Sequence, residues 1–164
     1  MNNNTHQFCT FFIDSLYIGI DVNEVQEVIR YQAMTRTPRA PSVVSGLINL
    51  RGQIVTALDL RVSLGIKQRE PDEQPMNIVV RDGENVISFL VDRIGDVVEA
   101  DDSIFEPPPL TLPKSLKPLV KGAYKYPSQL LLVLNTERAL TESHSEHPTK
   151  SHRRSDSNYS CQYA

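Results

Sequence analysis

Gly46-Leu47-Ile48-Asn49-Leu50-Arg51-Gly52-Gln53-Ile54-Val55-Thr56-Ala57-Leu58-Asp59-Leu60-Arg61 is the stretch that decides the fold. Two apolar runs, Leu47-Ile48 and Ile54-Val55, flank the turn signal Arg51-Gly52, and the stretch closes in the alternation Leu58-Asp59-Leu60. Apolar runs hinged on a glycine-bearing turn define a β-hairpin. Short β elements continue on the N-terminal side. Phe8 to Ile13 reads as a strand, Asp14-Ser15 as a turn and Tyr17 to Ile20 as the returning strand. Val22, Val25, Val28 and Ile29 are spaced three or four apart over a short segment. That spacing gives a brief helical turn near Val22–Val25 followed by a strand through Ile29. Pro38 and Pro41 break the chain, and Ser42 is placed to cap a short helix, Val43-Val44-Ser45, ended by Gly46.

Beyond the hairpin, Lys67 to Pro75 is charged, carries two prolines and has no apolar residue, which marks a linker over residues 67–75. The second half opens with a strand from Met76 to Arg81, the turn Asp82-Gly83-Glu84 and a return strand from Asn85 to Val91. Asp-Gly between alternating apolar runs is a strong hairpin signal. Pro107-Pro108-Pro109 is extended, and Gln129 to Leu134 is a nearly continuous apolar strand. The halves are related. A shift of 76 positions brings Gly46 onto Gly122, Gln53 onto Gln129, Leu58 onto Leu134, Asp59 onto Asn135 and Leu64 onto Leu140. A shift of 69 brings Val25-Gln26-Glu27-Val28 onto Ile94-Gly95-Asp96-Val97. Two similar β-units, each too small to be stable alone, are expected to share an interface.

Composition narrows the function. The chain has 164 residues, 40% hydrophobic, with 11 prolines and no tryptophan, which favours short elements in one ordinary domain. Its net charge of −3 argues against a nucleic-acid partner, which needs a basic face. Phe8, Phe11, Phe12, Tyr17 and Phe89 lie in apolar strands and are read as core, not as a base-stacking platform. The basic cluster Lys114, Lys117, Lys121 and Lys125 reads as a solvated helix face. Catalysis lacks parts. His6 is the only histidine before the C-terminal segment, no glycine loop carries the phosphate-binding pattern, and Asp92, Asp96, Asp101 and Asp102 read as turn-forming, solubilising carboxylates. Cys9 and Cys161 form no disulfide framework. No signal sequence and no apolar run of the ~20 residues needed for a membrane span is visible, so a cytoplasmic location without membrane insertion is expected. Residues 141–164 hold His144, His147 and His152 with scarcely an aliphatic side chain, and read as a disordered tail whose histidine spacing suits no metal. No cofactor or metal site is expected.

The residue identities, beyond their periodicity, resemble the CheW family of bacterial chemotaxis adaptors. The resemblance rests on Asn49, Leu50, Arg51 and Gly52, on the closing Asp59, Leu60 and Arg61, and on Val25-Gln26-Glu27-Val28. Val91 to Val97, the Pro107-Pro108 region and Leu132-Val133-Leu134-Asn135 extend it over residues 8–140. Two departures stand out: Thr56 where that family commonly has proline, and Ser88 where it usually has glycine. The resemblance implies an all-β, mainly β fold with short helices: two pseudo-symmetric five-stranded, SH3-like barrels packed together. On the sequence division these would occupy about residues 8–66 and 76–140. It further implies a non-catalytic scaffold that couples the cytoplasmic tip of a methyl-accepting chemoreceptor to a CheA-type histidine kinase. By the same resemblance a receptor-binding groove takes Val22, Val25, Glu27, Gly46, Arg51, Gly52, Ser88 and Val97, with Glu27 and Arg51 as a structural ion pair. A small-barrel nucleic-acid binder, or an adaptor of a non-motility chemosensory pathway, is the alternative.

Overall fold

The computed structural model describes residues 4–145. The strands are β1 (Thr5–Ile13), β2 (Leu16–Asp21), β3 (Val25–Ile29), β4 (Val44–Leu50), β5 (Gln53–Asp59), β6 (Met76–Asp82), β7 (Asn85–Val91), β8 (Arg93–Asp101), β9 (Phe105–Glu106), β10 (Val120–Lys125) and β11 (Leu130–Leu134). Two helices, α1 (Leu60–Ser63) and α2 (Thr136–Ser145), follow β5 and β11. The strands form a six-stranded sheet, ordered β8-β1-β2-β11-β10-β9, and a five-stranded sheet, ordered β3-β6-β7-β5-β4. In each sheet the two rim strands are consecutive in the chain, β8 with β9 and β3 with β4, as expected of a sheet rolled into a barrel. In the smaller sheet the seam is closed by Thr35, which exchanges two backbone bonds of 2.9 and 2.8 Å with Leu47 of β4. The fold is therefore mainly β, in two packed barrel-like sheets, as the sequence implies.

The sheets do not follow the two halves of the chain, and the division at residues 8–66 and 76–140 is corrected accordingly. Hairpin β6–β7 completes the sheet of β3, β4 and β5, while hairpin β1–β2 completes that of β8 to β11. The joins are the parallel pairs β5–β7 and β11–β2. Parallel pairing links segments distant in sequence, so local hairpin signals carry no trace of it. The internal repeat nevertheless has a structural counterpart. Gly46 and Gly122 both stand at register shifts, in β4 and β10. Asp59 and Asn135 both open helices, accepting from the backbone N–H of Arg61 (3.0 Å) and Arg138 (3.1 Å).

Because side chains alternate across a strand, each sheet has an inner and an outer apolar face. Phe11, Ile13, Ile18, Ile20, Leu132 and Leu134 of the larger sheet meet Leu58, Ile78, Val80, Phe89 and Val91 of the smaller in one central layer. Phe8, Tyr17, Tyr124, Leu131 and Val133 fill the other face of the larger sheet. Ile48, Val55, Ala57, Val79, Val86 and Leu90 fill the other face of the smaller. The continuous run Leu130–Leu134 thus has both faces buried, which removes the need for polar alternation.

Three local expectations change. Val43–Ser45 are not a helix: β4 begins at Val44, whose β-branched side chain suits the pairing with Leu58. Lys114, Lys117, Lys121 and Lys125 are exposed but share no α-helix, since Lys117 opens a 3-10 turn (Lys117–Leu119) and Lys121 and Lys125 lie on β10. Residues 141–145 continue α2, which is anchored by buried Ala139 and Leu140. His147, His152 and Cys161 lie outside the described residues.

Candidate protein-recognition site

The turn between β4 and β5 puts both central residues at positive φ, Arg51 at 53° and Gly52 at 84°. Positive φ at both positions is the geometry of a primed two-residue hairpin turn, whose twist suits the flanking strands. Glycine adopts it freely, but for arginine it costs roughly 1–2 kcal/mol. Asn49 offsets part of that, its Oδ1 accepting the Gly52 N–H at 2.9 Å. The conformation carries the Arg51 side chain across the seam to β3. There Nη1 and Nη2 donate to Glu27 Oε1 and Oε2 at 3.1 and 2.7 Å. The fork is bidentate and fixes orientation as well as distance. Its two ends differ: the Arg51 side chain is 75% exposed and that of Glu27 18%. The pair is a rim feature that staples β3 to the β4–β5 turn.

The eight residues expected in the groove separate into three placements. Glu27, Arg51 and Gly52 are brought together, and Val25, two residues before Glu27, is half-buried against the central layer. Val22 lies in the turn between β2 and β3, its N–H donating to the Gln7 carbonyl, and Val97 is 62% exposed on β8, the rim of the other sheet. Gly46 and Ser88 do not line a surface. A Cβ at Gly46 would sit 2.6 Å from the Thr35 carbonyl oxygen, so the glycine permits the close backbone crossing that closes the barrel. Ser88 is fully buried in β7, and its hydroxyl donates to Asn77 Oδ1 at 2.8 Å. Its expected place in the receptor groove is corrected: the hydroxymethyl points into the barrel.

Sequence reading misses a second constellation. Asp92, read as a solubilising turn carboxylate, is the hub of a half-buried ionic cluster. Arg61 Nε and Nη2 donate to its two oxygens at 2.8 and 2.5 Å, and the Asp14 N–H donates to Oδ2 at 2.6 Å. Arg69, from the polar linker, reaches in with Nη1 donating to Asp59 at 2.8 Å. Its Nε lies 2.9 Å from Asp92 Oδ1 but off the hydrogen-bond direction, so that contact is ionic. Arg61 Nη1 also donates to the Lys67 carbonyl at 2.6 Å, pinning the linker. Burial would push the Asp92 carboxyl up; the Arg61 fork, the Asp14 amide and the charges of both arginines outweigh it and hold the group below the usual carboxylate range. The only signal in the sequence was Asp59-Leu60-Arg61 itself, whose charges have no local partners at helical spacing.

The aromatics weighed for base stacking are accounted for otherwise. Phe8, Phe11, Tyr17 and Phe89 are buried, and Phe12 lies beneath the Arg93 guanidinium, 4.5 Å from its ring centre. No helix among the described residues is long and apolar enough to cross a membrane.

Fold and site together define a paired-barrel module whose distinctive surface is a closed seam with an ion pair and a glycine turn on its rim. Comparison with known proteins places that module. Residues 7–144 match the family model for the CheW-like domain. The chain is 25% identical over 146 residues to a probable chemotaxis protein CheW of Rhizobium etli, covering 89% of this chain and 94% of that one. It is 31% identical to the chemotaxis protein CheW of Thermotoga maritima, covering 81% and 86%. Its structure is similar to the crystal structure of the scaffolding protein TtCheW from Thermoanaerobacter tengcongensis (TM-score 0.70, 27% identity, 79% and 88% covered). The chain belongs to the CheW-like family.

Proposed function

We propose that this protein is a non-catalytic chemotaxis adaptor that holds the cytoplasmic tip of a chemoreceptor on one surface and a CheA-type histidine kinase on another. The observation that carries the reading is the Glu27–Arg51 fork beside Gly52: a rigid rim, with open space where a Cβ on Gly52 would lie. A receptor helix can approach such a backbone closely, with Val22 in the neighbouring β2–β3 turn and exposed Val97 on the rim of the other sheet as further candidate contacts. Gly46 and Ser88 support this surface from beneath and are not contacts. Similarity to chemotaxis proteins CheW and to the scaffolding protein TtCheW supports the assignment. A bridge needs its kinase surface to be separate, at a barrel end.

Two measurements test this. Gly52→Trp fills the approach to the backbone and should abolish binding of a receptor-tip fragment. Since φ is 84° there, the substitution also costs roughly 1–2 kcal/mol of stability, so Gly52→Asn, which tolerates that region, is the control that should keep binding. Unchanged binding by Gly52→Trp refutes the site. Competition between receptor fragment and kinase for the free protein refutes the bridge, and recovery of nucleic acid without receptor or kinase in a pull-down from the native cell refutes the adaptor reading. The C-terminal segment should be dispensable for both contacts, with the cut placed after Ser145 so that α2 stays whole.

A further inference from the structure

Asn77 and Ser88 are polar side chains, 1% and 0% exposed, inside an otherwise apolar barrel. Their chemistry fixes the direction of their bonding. Asn77 Nδ2 lies 3.1 Å from the Arg30 carbonyl oxygen, which can only accept, so the amide nitrogen must face Arg30. Asn77 Oδ1 then faces Ser88 at 2.8 Å, and the serine hydroxyl must donate. The result is a one-way relay: Ser88 O–H to the Asn77 carbonyl, and Asn77 N–H to the Arg30 carbonyl.

The relay sits where the strand ladder stops. Ile29 opposite Asn77 is the last β3–β6 pair, and beyond it the chain leaves the sheet. Asn77 supplies one further rung with its side chain; Gln32 Nε2 adds a second donor to the Arg30 carbonyl at 3.3 Å. The departing chain then runs to Thr35, which pairs with Leu47 across the Cβ-less space at Gly46. The Glu27–Arg51 fork and the Thr35–Leu47 bridge cross the seam, and the Asn77–Arg30 rung fixes the chain between them on the β6 side of β3. The rung alone depends on a buried hydroxyl.

We infer that Ser88 and Asn77 are positioning residues for the seam: the relay sets where the chain leaves β3, and through it the geometry of the rim that carries Glu27 and Arg51. This deepens the proposed function and rests on it for the receptor's part. Without the hydroxyl, Asn77 Oδ1 is left buried and unpaired, and the carboxamide is free to turn away from Arg30.

The test is hydrogen exchange by NMR on the full chain without partners, comparing wild type, Ser88→Ala and Ser88→Thr. In Ser88→Ala the Asn77 side-chain amide and the Thr35 and Leu47 backbone amides should exchange about tenfold faster, a loss typical of one buried hydrogen bond. Ile18 and Leu132, in the other sheet, should keep their rates, and Ser88→Thr, which retains the hydroxyl, should restore the seam. Should Ser88→Ala fail to fold, Ser88→Cys, with its weak donor, should show an intermediate rise at the same three sites. Unchanged exchange at Thr35 and Leu47, or an equal rise in both sheets, overturns the inference, because a merely structural serine would move every slow amide together. Receptor-tip affinity of the same variants tests the other layer: if the wild type does not bind, the receptor assignment falls while the exchange result stands on its own.

Discussion

Asp92→Asn is the most demanding test of the ionic cluster. The substitution keeps the side chain's shape and removes its charge, leaving Arg61 and Arg69, whose side chains are 11% and 8% exposed, without the shared carboxylate. Removing one member of a buried pair leaves an uncompensated charge and costs about 3–5 kcal/mol. Residual partners pull the figure toward the lower end, since Arg61 keeps the Lys67 carbonyl and Arg69 keeps Asp59 and the Leu90 carbonyl. We expect a loss of about 3 kcal/mol by urea denaturation at pH 7, against the 5–15 kcal/mol stability of an ordinary domain. The pH dependence gives a second reading. The folded-state pKa of Asp92 is depressed, so its contribution is complete above the unfolded value of about 3.9 and is lost as pH falls through the lower folded value. The variant should lack that part of the acid slope. A change below about 1 kcal/mol with an unaltered acid slope would refute the cluster's role, since that is what an exposed pair is worth.

Other outcomes follow from the same geometry. Glu27→Ala and Arg51→Ala should each lower stability by no more than about 1 kcal/mol in thermal or urea unfolding, because the Arg51 end is solvated, yet should weaken receptor-fragment binding. Gly46→Ala should lose about 1–3 kcal/mol, its Cβ meeting a backbone oxygen at 2.6 Å that cannot rotate away, while Gly83→Ala, with open space and only a positive φ to resist it, should lose less. Burial pushes the Cys9 thiol up, so thiol-specific reagents should label it slowly at neutral pH in the folded protein and quickly in denaturant. A fragment ending at residue 140 should be less stable than one ending at 145, because it removes half of α2 and frays the turn that buries Ala139 and Leu140.

The sequence by itself determined the local elements and part of the rim. Arg51-Gly52 between apolar runs sufficed for the hairpin, because a two-residue turn with positive φ is a local choice of backbone. The repeat across Gly46 and Gly122 was legible because equivalent close crossings exclude a side chain in both sheets. What only the tertiary structure decided is which strands share a sheet, which side chains point inward and which charges meet. The parallel joins β5–β7 and β11–β2 exchange hairpins between the halves. Ser88 faces the barrel interior because its neighbours on that face, Val86 and Leu90, do. Asp92 gathers Asp14, Arg61 and Arg69 from three separate parts of the chain. Each of these depends on contacts between residues far apart in sequence, whereas turn propensity and side-chain alternation describe only neighbours along the chain.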